Sequence, residues 1–415
     1  MGTVKIVSRD GRPVPHAFDK LDPAFCSLGQ SVQYFARVRS LDTPDILERL
    51  RDIHFDRRFG QGFDTNLLDR TLRRFPTPKR IASTAFGGDF QVPSKFSLKF
   101  RTKLDGFDRA HAMTISFDAS GPISRRVAVL IGASGTGKTG VLSRLAQAAV
   151  GDGPQRLEFQ KPPPLFHSVV GVAYGVMQPF SEGSEDPESY IYCGAQEFES
   201  FESGHSAVHF ERIVEHLPKN RIGEWAKFWN EFTSSVGARM DDTPMWVSSR
   251  TALFDRLSAG HRMYAMICAS LISRVPDNSL VLLDEPETHL HPSLLCSLLD
   301  VLFGLLGSRN SFAIIATHSP LVAQSMLARQ VLIFRNQSGV PIVDSPDRET
   351  LGCGLSELTE YVFDYPNIES RPFLNQLETA ARQTPRRRLR RLFAAPTTLP
   401  LEIILEHARF RGRTK

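Results

Sequence analysis

The stretch Ser279–Pro292, SLVLLDEPETHLHP, decides the fold class. Its four apolar residues, Leu280–Leu283, predict a central strand that is buried on both faces. Asp284 and Glu285 follow at the carboxyl end of this strand, which is where α/β sheets place their ligands. Standing alone, such an acid pair is also typical of a solvated turn. The interpretation therefore depends on whether the chain supplies the other parts of a site.

A second strand leads directly into a glycine-rich loop. Val127–Ile131 (VAVLI) is followed by GASGTGKT and, after Gly140, by the helical VLSRLAQAA. This order of strand, loop and helix is the setting of a phosphate-binding loop with the pattern G-x-x-x-x-G-K-T. Glycines let backbone N–H groups converge on phosphates, and the helix N-terminus adds partial positive charge. The predicted loop residues are Gly132, Ala133, Ser134, Gly135, Thr136, Gly137, Lys138 and Thr139.

The loop and the acid pair together predict a site for ATP and Mg²⁺. Lys138 is expected to reach the terminal phosphates, and Thr139 and Asp284 are expected to ligate the Mg²⁺ ion. Glu285 lies one residue beyond Asp284, where it could orient an attacking water against a phosphoryl group. These assignments give Lys138 and Glu285 catalytic roles.

Two further turns extend this pattern. Leu257–His261 (LSAGH) precedes an apolar-faced helix, so Ser258 and Gly260 open that helix as an anion-binding turn. Phe312–Ala316 predicts a buried strand, and His318 emerges at its carboxyl end, placed to hydrogen-bond a γ-phosphate. Separately, the two features are typical of an ordinary helix cap and a surface histidine. Their order after the phosphate loop favours a nucleotide-binding role for both.

The motifs GASGTGKT, LSAGH, LVLLDEPETHLHP and ATHSP resemble the Walker A, signature, Walker B and switch-histidine motifs of ABC-type ATPases, in the branch of RecF, SMC and OLD-like proteins. ILERLRDIHFDRRF, SYIYCG, LHPSLLCSLLDVLFGLLGSRNSFAIIATHSPLV and GLSELTEYVFDY also resemble the PtuA family, the ATPases of Septu anti-phage systems, found with some retrons too. The signature sequence reads LSAGH in this chain, whereas transporters have LSGGQ.

The resemblance implies an α/β P-loop NTPase fold of ABC-ATPase head type, with a mixed sheet and a helical lobe. It also implies a homodimer or higher oligomer that closes head-to-head around ATP–Mg²⁺, in which Ser258 and Gly260 complete the site of the other subunit. Gln178 is the best candidate for the glutamine that touches Mg²⁺ and nucleotide in this family, and Gln160 and Gln196 are alternatives.

Three regions follow from these assignments. Residues 1–78 form an N-terminal segment of unknown role, 79–345 the ATPase head with a helical lobe at about 195–275, and 346–415 a helical region with a basic tail. Within the first region, helices are predicted over Asp45–Phe59 and Leu67–Phe75. Long coiled-coil arms do not fit, because Gly260 follows Lys138 by only 122 positions and the residues between them show no sustained heptad pattern.

Composition and charge indicate where the protein acts and which partners it could bind. Five widely spaced cysteines without a CxxC pair indicate reduced intracellular thiols, and no apolar run is long enough for a membrane span, so we expect a cytoplasmic protein. The net charge is +5, but residues 382–415 carry ten Arg or Lys against two Glu, so the remaining residues are net negative. RRRLRR, Arg386–Arg391, could bind DNA or RNA phosphates, or equally form a solvated helix face or a patch for an acidic protein.

Two function classes follow from the resemblance. In the first, the ATPase switches a separate HNH-type nuclease in anti-phage defence, because no Asp-x-Asp pair for a nuclease site follows His318. In the second, it is a RecF-like DNA-repair clamp that binds duplex DNA directly; a transporter subunit is a distant third class. The pair His289-x-His291 could bind metal, but the resemblance places it in a loop facing the dimer partner, so the expected metal is limited to nucleotide Mg²⁺.

Overall fold

The computed structural model describes residues 4–29, 38, 45–53, 55–64, 67–68, 92–150, 157–160, 164, 166–173, 190–194, 205–236, 254, 256–363, 376, 379–381, 384 and 388. The chain divides into two compact units, Met1–Cys353 and Gly354–Lys415. The first unit includes the N-terminal segment as well as the region expected to be the head. The predicted three-part division, with boundaries after residues 78 and 345, remains a prediction.

The strands of the described residues all lie in the first unit. In chain order they are β1 (Val4–Ser8), β2 (Phe25–Gly29), β3 (Lys95–Thr102), β4 (His111–Asp118), β5 (Val127–Gly132), β6 (Leu157–Phe159), β7 (Val169–Ala173), β8 (Tyr190–Gly194), β9 (Leu280–Asp284), β10 (Phe312–Thr317), β11 (Val331–Gln337) and β12 (Val340–Asp344).

The helices alternate with these strands over most of the chain. They are α1 (Asp45–Arg49), α2 (Lys138–Val150), α3 (His205–Glu215), α4 (Ile222–Ser235), α5 (Ala259–Arg274), α6 (Pro292–Ser308), α7 (Pro320–Gln324) and α8 (Leu355–Phe363). Short 3₁₀ helices cover Arg57–Gly60, Lys219–Arg221 and Ala328–Gln330. In the part of the chain that can be described, no helix combines the length and apolar character needed to cross a bilayer.

A seven-stranded sheet forms the centre of the first unit. Its order is β12-β11-β5-β10-β9-β7-β8, and every neighbouring pair is parallel except β11 and β12. Strands β5, β9 and β10 are buried along their whole length, which explains their continuous Val, Ile, Leu and Ala sequences. The predicted α/β class with a mixed sheet is confirmed.

A second sheet packs against the first and supplies a wall of the site. It has the order β4-β3-β6 and is antiparallel. Alternate residues of β3 and β4 are buried, which matches the alternating apolar residues of FSLKF (Phe96–Phe100) and MTISF (Met113–Phe117). Phe96 and Phe117 of this sheet contact Phe312 of β10, with ring centroids 4.8 and 5.3 Å apart. The β3–β4 turn is thereby held beside the phosphate loop.

The predicted helix over Asp45–Phe59 is wrong in its extent. Helix α1 ends at Arg49, and Arg51 adopts a left-handed backbone with φ of 51°. The chain then pairs with β2, because Ser27 N donates to Arg51 O at 3.1 Å and Ile53 N donates to Ser27 O at 3.0 Å. These nonlocal hydrogen bonds override the helical spacing. Of the second expected helix, only Leu67 and Leu68 lie within the described residues, and both are helical.

Helices α3, α4 and α5 lie in the region expected to form the helical lobe. The ring of Phe210 in α3 lies 5.9 and 5.3 Å from those of Trp225 and Trp229 in α4. Arg309, buried at the end of α6, donates to Glu224 of α4 at 2.5 Å. Arg309 also donates to three carbonyls at the C-terminal end of α5, those of Leu271, Ile272 and Val275. One cation thus joins the ends of α4, α5 and α6.

Candidate nucleotide site

The order of three parallel strands brings the predicted motifs to one edge of the sheet. Strand β10 lies between β5 and β9, with Thr317 opposite Ile131 and Ala316 opposite Asp284. The carboxyl ends of all three strands therefore coincide. The phosphate loop, the acid pair and His318 leave the sheet side by side.

The phosphate loop owes its shape to two glycines. Gly135 and Gly137 have φ values of 76° and 97°, a backbone region that side chains disfavour. At Gly137 a side chain would also collide with a neighbour, since an added Cβ would lie 2.5 Å from His111 Nε2. Left-handed glycines alternating with ordinary residues are typical of an anion-binding nest, and helix α2 begins directly after them at Lys138.

Lys138 is almost fully buried, with 3% of its surface exposed. Its Nζ donates to the carbonyls of Gly132 at 2.8 Å and Ala133 at 3.1 Å, and lies 3.3 Å from His318 Nε2. Burial lowers its pKa to about 8, against the opposing attraction of Glu285 and Asp284. This ammonium group is desolvated and held by neutral carbonyls, so it can bind a phosphate at low desolvation cost.

Asp284 and Thr139 form the pair that fits a magnesium ion. Thr139 Oγ1 donates to the Asp284 carboxylate, 2.9 and 3.1 Å from its two oxygens. Asp284 is 7% exposed, and burial raises its pKa to about 6, although the Thr139 hydrogen bond opposes that rise. A desolvated carboxylate beside a hydroxyl is a hard oxygen donor set of the kind that Mg²⁺ prefers. The donor chemistry therefore fits the ion that the sequence predicts.

Glu285 and His318 face each other across the ends of β9 and β10. Glu285 Oε1 lies 2.8 Å from His318 Nε2, and both side chains are about one-third exposed. Glu285 has a left-handed backbone with φ of 45°, fixed by its N–H, which donates to Ala316 O at 2.8 Å. A non-glycine residue held in this conformation is often functional.

Glu287 belongs to the same arrangement, although the sequence analysis assigned it no role. Its Oε1 accepts hydrogen bonds from Thr317 Oγ1 at 2.7 Å and from the backbone N–H of His318 at 2.5 Å. Its Oε2 is buried and has no partner among the described residues. Glu287 therefore fixes the backbone from which His318 projects. The second Glu of DEPE was visible in the sequence, but its target depends on β9 and β10 being neighbours.

His111 is a second functional candidate that the sequence analysis did not identify. It is the first residue of β4, with 1% of its surface exposed, and its Nε2 lies 3.0 Å from Thr136 O in the phosphate loop. Burial lowers its pKa, while the hydrogen bond to Thr136 opposes that shift. His111 stands just before the alternating strand sequence Met113–Phe117, and no local sequence pattern predicts its contact with Thr136.

The signature turn is built as predicted but lies outside the cleft around the phosphate loop. Ser258 caps α5, accepting from His261 N, and Ser258 Oγ lies 2.7 Å from His261 Nδ1. Gly260 lies against its own chain, since an added Cβ would be 3.1 Å from His289 O. The cleft has a volume of about 440 Å³. Among the described residues it is lined by Leu104, Asp105, Phe107, Ser134, Gly135, Gly137, Lys138, Thr139, Gly140, Ser143, Arg144, Gln147, Glu285 and His318.

The candidate glutamines and the histidine pair have separate outcomes. Gln178 and Gln196 lie outside the described residues, so the Gln178 assignment stays a prediction. Gln160 is exposed at the end of β6, where its N–H donates to Lys99 O at 2.8 Å. His291 caps helix α6 by accepting from Ser293 N, so this ring has a structural role, and His289 has a left-handed φ of 68°.

Comparison with known proteins adds a family match and one curated relative. Residues 249–323, which hold LSAGH, the acid pair and His318, match the AAA_21 family model, whose description reads "AAA domain, putative AbiEii toxin, Type IV TA system". The chain is also 26% identical over 400 residues to Protein ea59 of Escherichia phage lambda, covering 83% of this chain and 75% of that protein.

Several solved structures are also similar to the chain. They include cbiO1 from Clostridium perfringens, part of an ABC transporter complex (14% identity, 69% of this chain and 96% of that one, TM-score 0.36). An ATP-binding cassette of an ABC transporter in its ADP conformation gives 13% identity, 67% and 98% coverage and a TM-score of 0.35. RNase-L Inhibitor is 12% identical with a TM-score of 0.34; the match covers 62% of this chain and only 40% of RNase-L Inhibitor.

The sheet order, the phosphate loop and the residues at the strand ends thus form a candidate nucleotide site at one edge of the seven-stranded α/β sheet.

Proposed function

We propose that the protein binds and hydrolyses ATP as a switch ATPase of the ABC type. The observation that carries this proposal is the meeting of Lys138, the Thr139–Asp284 pair and the Glu285–His318 pair at one sheet edge. Such an edge offers a cation for phosphates, oxygen ligands for Mg²⁺ and a carboxylate near the reacting end of the nucleotide. These parts together are what phosphoryl transfer to water requires.

Each side chain has one task in this proposal. Lys138 binds the terminal phosphates, moving its Nζ from the Gly132 and Ala133 carbonyls to an anion. Thr139 and Asp284 hold the Mg²⁺ ion, which neutralises phosphate charge when it is bound. Glu285 accepts a hydrogen bond from the attacking water and orients it, while His318 donates to the phosphate end when the nucleotide binds.

The signature turn supports a dimer as part of the proposal. Ser258 and Gly260 open helix α5 outside the cleft of their own chain, and Ser258 is exposed. In the ABC arrangement that the motifs resemble, this turn completes the nucleotide site of a second subunit. We therefore propose a homodimer that closes around ATP–Mg²⁺ and opens after hydrolysis.

The biological setting is proposed from the resemblance of the chain. The similarity to the ATPases of Septu systems favours control of a separate HNH-type nuclease in anti-phage defence. The basic tail favours the second candidate, a RecF-like clamp that binds duplex DNA without a nuclease chain. Pull-down of the chain from its host distinguishes them, because the first requires a nuclease partner in an ATP-dependent complex.

The enzymatic proposal is tested with two substitutions that separate binding from hydrolysis. Lys138→Ala should abolish ATP binding, because no other buried cation faces the described part of the cleft. Glu285→Gln should still bind ATP but hydrolyse it more slowly by on the order of 10² to 10⁴. Equilibrium binding of a fluorescent ATP analogue and phosphate release measure the two steps. Wild-type turnover by Glu285→Gln would remove Glu285 from the reaction.

A further inference from the structure

His111 makes the only hydrogen bond that the Thr136 carbonyl receives from outside the loop within the described residues. Thr136 O lies 3.0 Å from His111 Nε2. Two nearby carbonyls have donors within the loop or in helix α2: Ala133 O accepts from Thr136 Oγ1 at 2.8 Å and Lys138 Nζ at 3.1 Å, and Gly137 O accepts from Val141 N at 2.9 Å. The orientation of the Thr136 peptide thus depends on a residue of the other sheet.

The Thr136 carbonyl faces away from the cleft. Gly135 and Gly137 line the cleft on either side of it, whereas Thr136 does not and is 3% exposed. An anion nest needs its N–H groups turned inward, so the carbonyls of the same peptides must point outward and find donors there. His111 supplies that donor at Thr136.

The ring of His111 is held rigidly in this position. It packs edge-on against Phe107, with centroids 4.6 Å apart, and near Phe334 at 6.0 Å. Gly137 leaves space for it, since any Cβ there would meet the ring at 2.5 Å. His111 Nδ1 is buried and has no partner among the described residues. An unpaired acceptor nitrogen is less costly to bury than an unpaired N–H group, which favours a proton on Nε2.

We propose that His111, as a neutral imidazole protonated on Nε2, is a positioning residue that holds the Thr136 peptide in the orientation required for phosphate binding. This inference rests on the proposed ATP binding and assigns a role to a residue outside the four motifs. His111 does not line the cleft, and in this proposal it acts only through the backbone of the loop. Its loss should therefore weaken nucleotide affinity more than it slows the hydrolysis step.

The test compares two substitutions of matched length. In His111→Gln an amide N–H can replace the Nε2 donor, whereas His111→Met fills a similar volume without a donor. We expect ATP affinity in His111→Met to fall by on the order of tenfold to a hundredfold, the cost of leaving a buried carbonyl without its donor. His111→Gln should stay within about threefold of wild type. In both variants kcat should change less than KM.

Two results would overturn the proposal. Equal loss of affinity in the Gln and Met variants would show that the ring acts by packing alone, and wild-type affinity in His111→Met would show that the hydrogen bond is dispensable. If the variants do not fold, ¹⁵N NMR of the wild-type imidazole, assigned through its contacts with Phe107 and Phe334, decides the question. A ring protonated on Nδ1 or carrying a positive charge contradicts the proposal, and a neutral Nε2–H ring supports it. If wild-type protein bound no ATP, the proposed function would fail, and the NMR result would still judge the loop contact.

Discussion

Asp284 shows at the residue scale how a site is built at the expense of stability. Its carboxylate is buried and its pKa is raised to about 6, mainly by desolvation. The unfolded chain has the ordinary value near 3.9, so between roughly pH 4 and 6 the folded protein binds more protons than the unfolded one. The free energy of unfolding contributed by Asp284 is therefore highest below pH 4 and falls as pH rises to about 6.

Replacing Asp284 by Asn should remove this penalty. In buffer with neither divalent cation nor nucleotide, we expect Asp284→Asn to be more stable than wild type at pH 7 by on the order of 2 kcal/mol, and no more stable at pH 4. Stabilisation by ATP with Mg²⁺ should disappear in the variant, because the amide is a poorer ligand. Thermal unfolding at the two pH values measures both effects. A variant less stable than wild type at pH 7 would contradict this view of Asp284.

The second prediction at the residue scale concerns the hydrogen bonds that Glu287 accepts. Its Oε1 accepts from Thr317 and from the N–H of His318, so the contact requires an acceptor but not a charge. We expect Glu287→Gln, which keeps that acceptor, to retain kcat within about fivefold. Glu287→Met should lower kcat by on the order of tenfold to a hundredfold, because the Thr317 hydroxyl and the His318 N–H both lose their acceptor.

Phosphate release at saturating ATP measures kcat for the Glu287 pair, and a binding titration shows that nucleotide affinity is preserved. Loss of the two hydrogen bonds that Glu287 accepts should also destabilise the folded Met variant, so its thermal stability is measured together with its activity. Should Glu287→Met hydrolyse ATP as fast as wild type while folded, Glu287 would have no part in placing His318.

At the scale of elements, helix α5 carries the prediction about assembly. A Cβ added at Gly260 would lie 3.1 Å from the backbone oxygen of His289 in its own chain, so a side chain there would disturb the loop after Glu285. Ser258 is the better position, because it is exposed and its only described role is to cap the helix. Asp and Asn both cap helices well, so Ser258→Asp adds a charge where Ser258→Asn adds none.

Ser258→Asp should be inactive alone, because its carboxylate would repel the phosphates bound by a second subunit. When it is mixed with inactive Lys138→Ala, each mixed dimer has one site that combines an intact Lys138 with an intact Ser258. If the two sites act independently, turnover per dimer should recover to at most about half of the wild-type value. Ser258→Asn should remain active alone. ATP turnover is measured against mixing ratio, with heterodimers verified by differently tagged chains. Full activity of Ser258→Asp alone would exclude the proposed contact between subunits.

At the scale of the whole molecule, the two compact units differ in what they support. The first unit holds every described residue of the nucleotide site. The basic run Arg386–Arg391 falls in the second unit, and only Arg388 of it lies within the described residues, where it is exposed. Nucleic-acid binding by the tail therefore remains a proposal from charge. A first unit with the candidate nucleotide site and a second unit with the basic run fit either proposed function class.

The sequence by itself determined the parts of the site that are local. The phosphate loop, the acid pair, the Ser258 cap and the strand before His318 each depend on residues within one short stretch. Glycine φ values, helix capping and continuous apolar runs are properties of neighbours along the chain. Each of these elements is present in the structure where the motifs predicted it.

Only the tertiary structure decided which of these parts meet. The position of β10 between β5 and β9 brings Glu287 to the backbone of His318, and the second sheet brings His111 under the phosphate loop. The same kind of nonlocal pairing ends α1 at Arg49, against the helical spacing of the sequence. Contacts between residues far apart in sequence depend on strand order and sheet packing, and no local pattern specifies those.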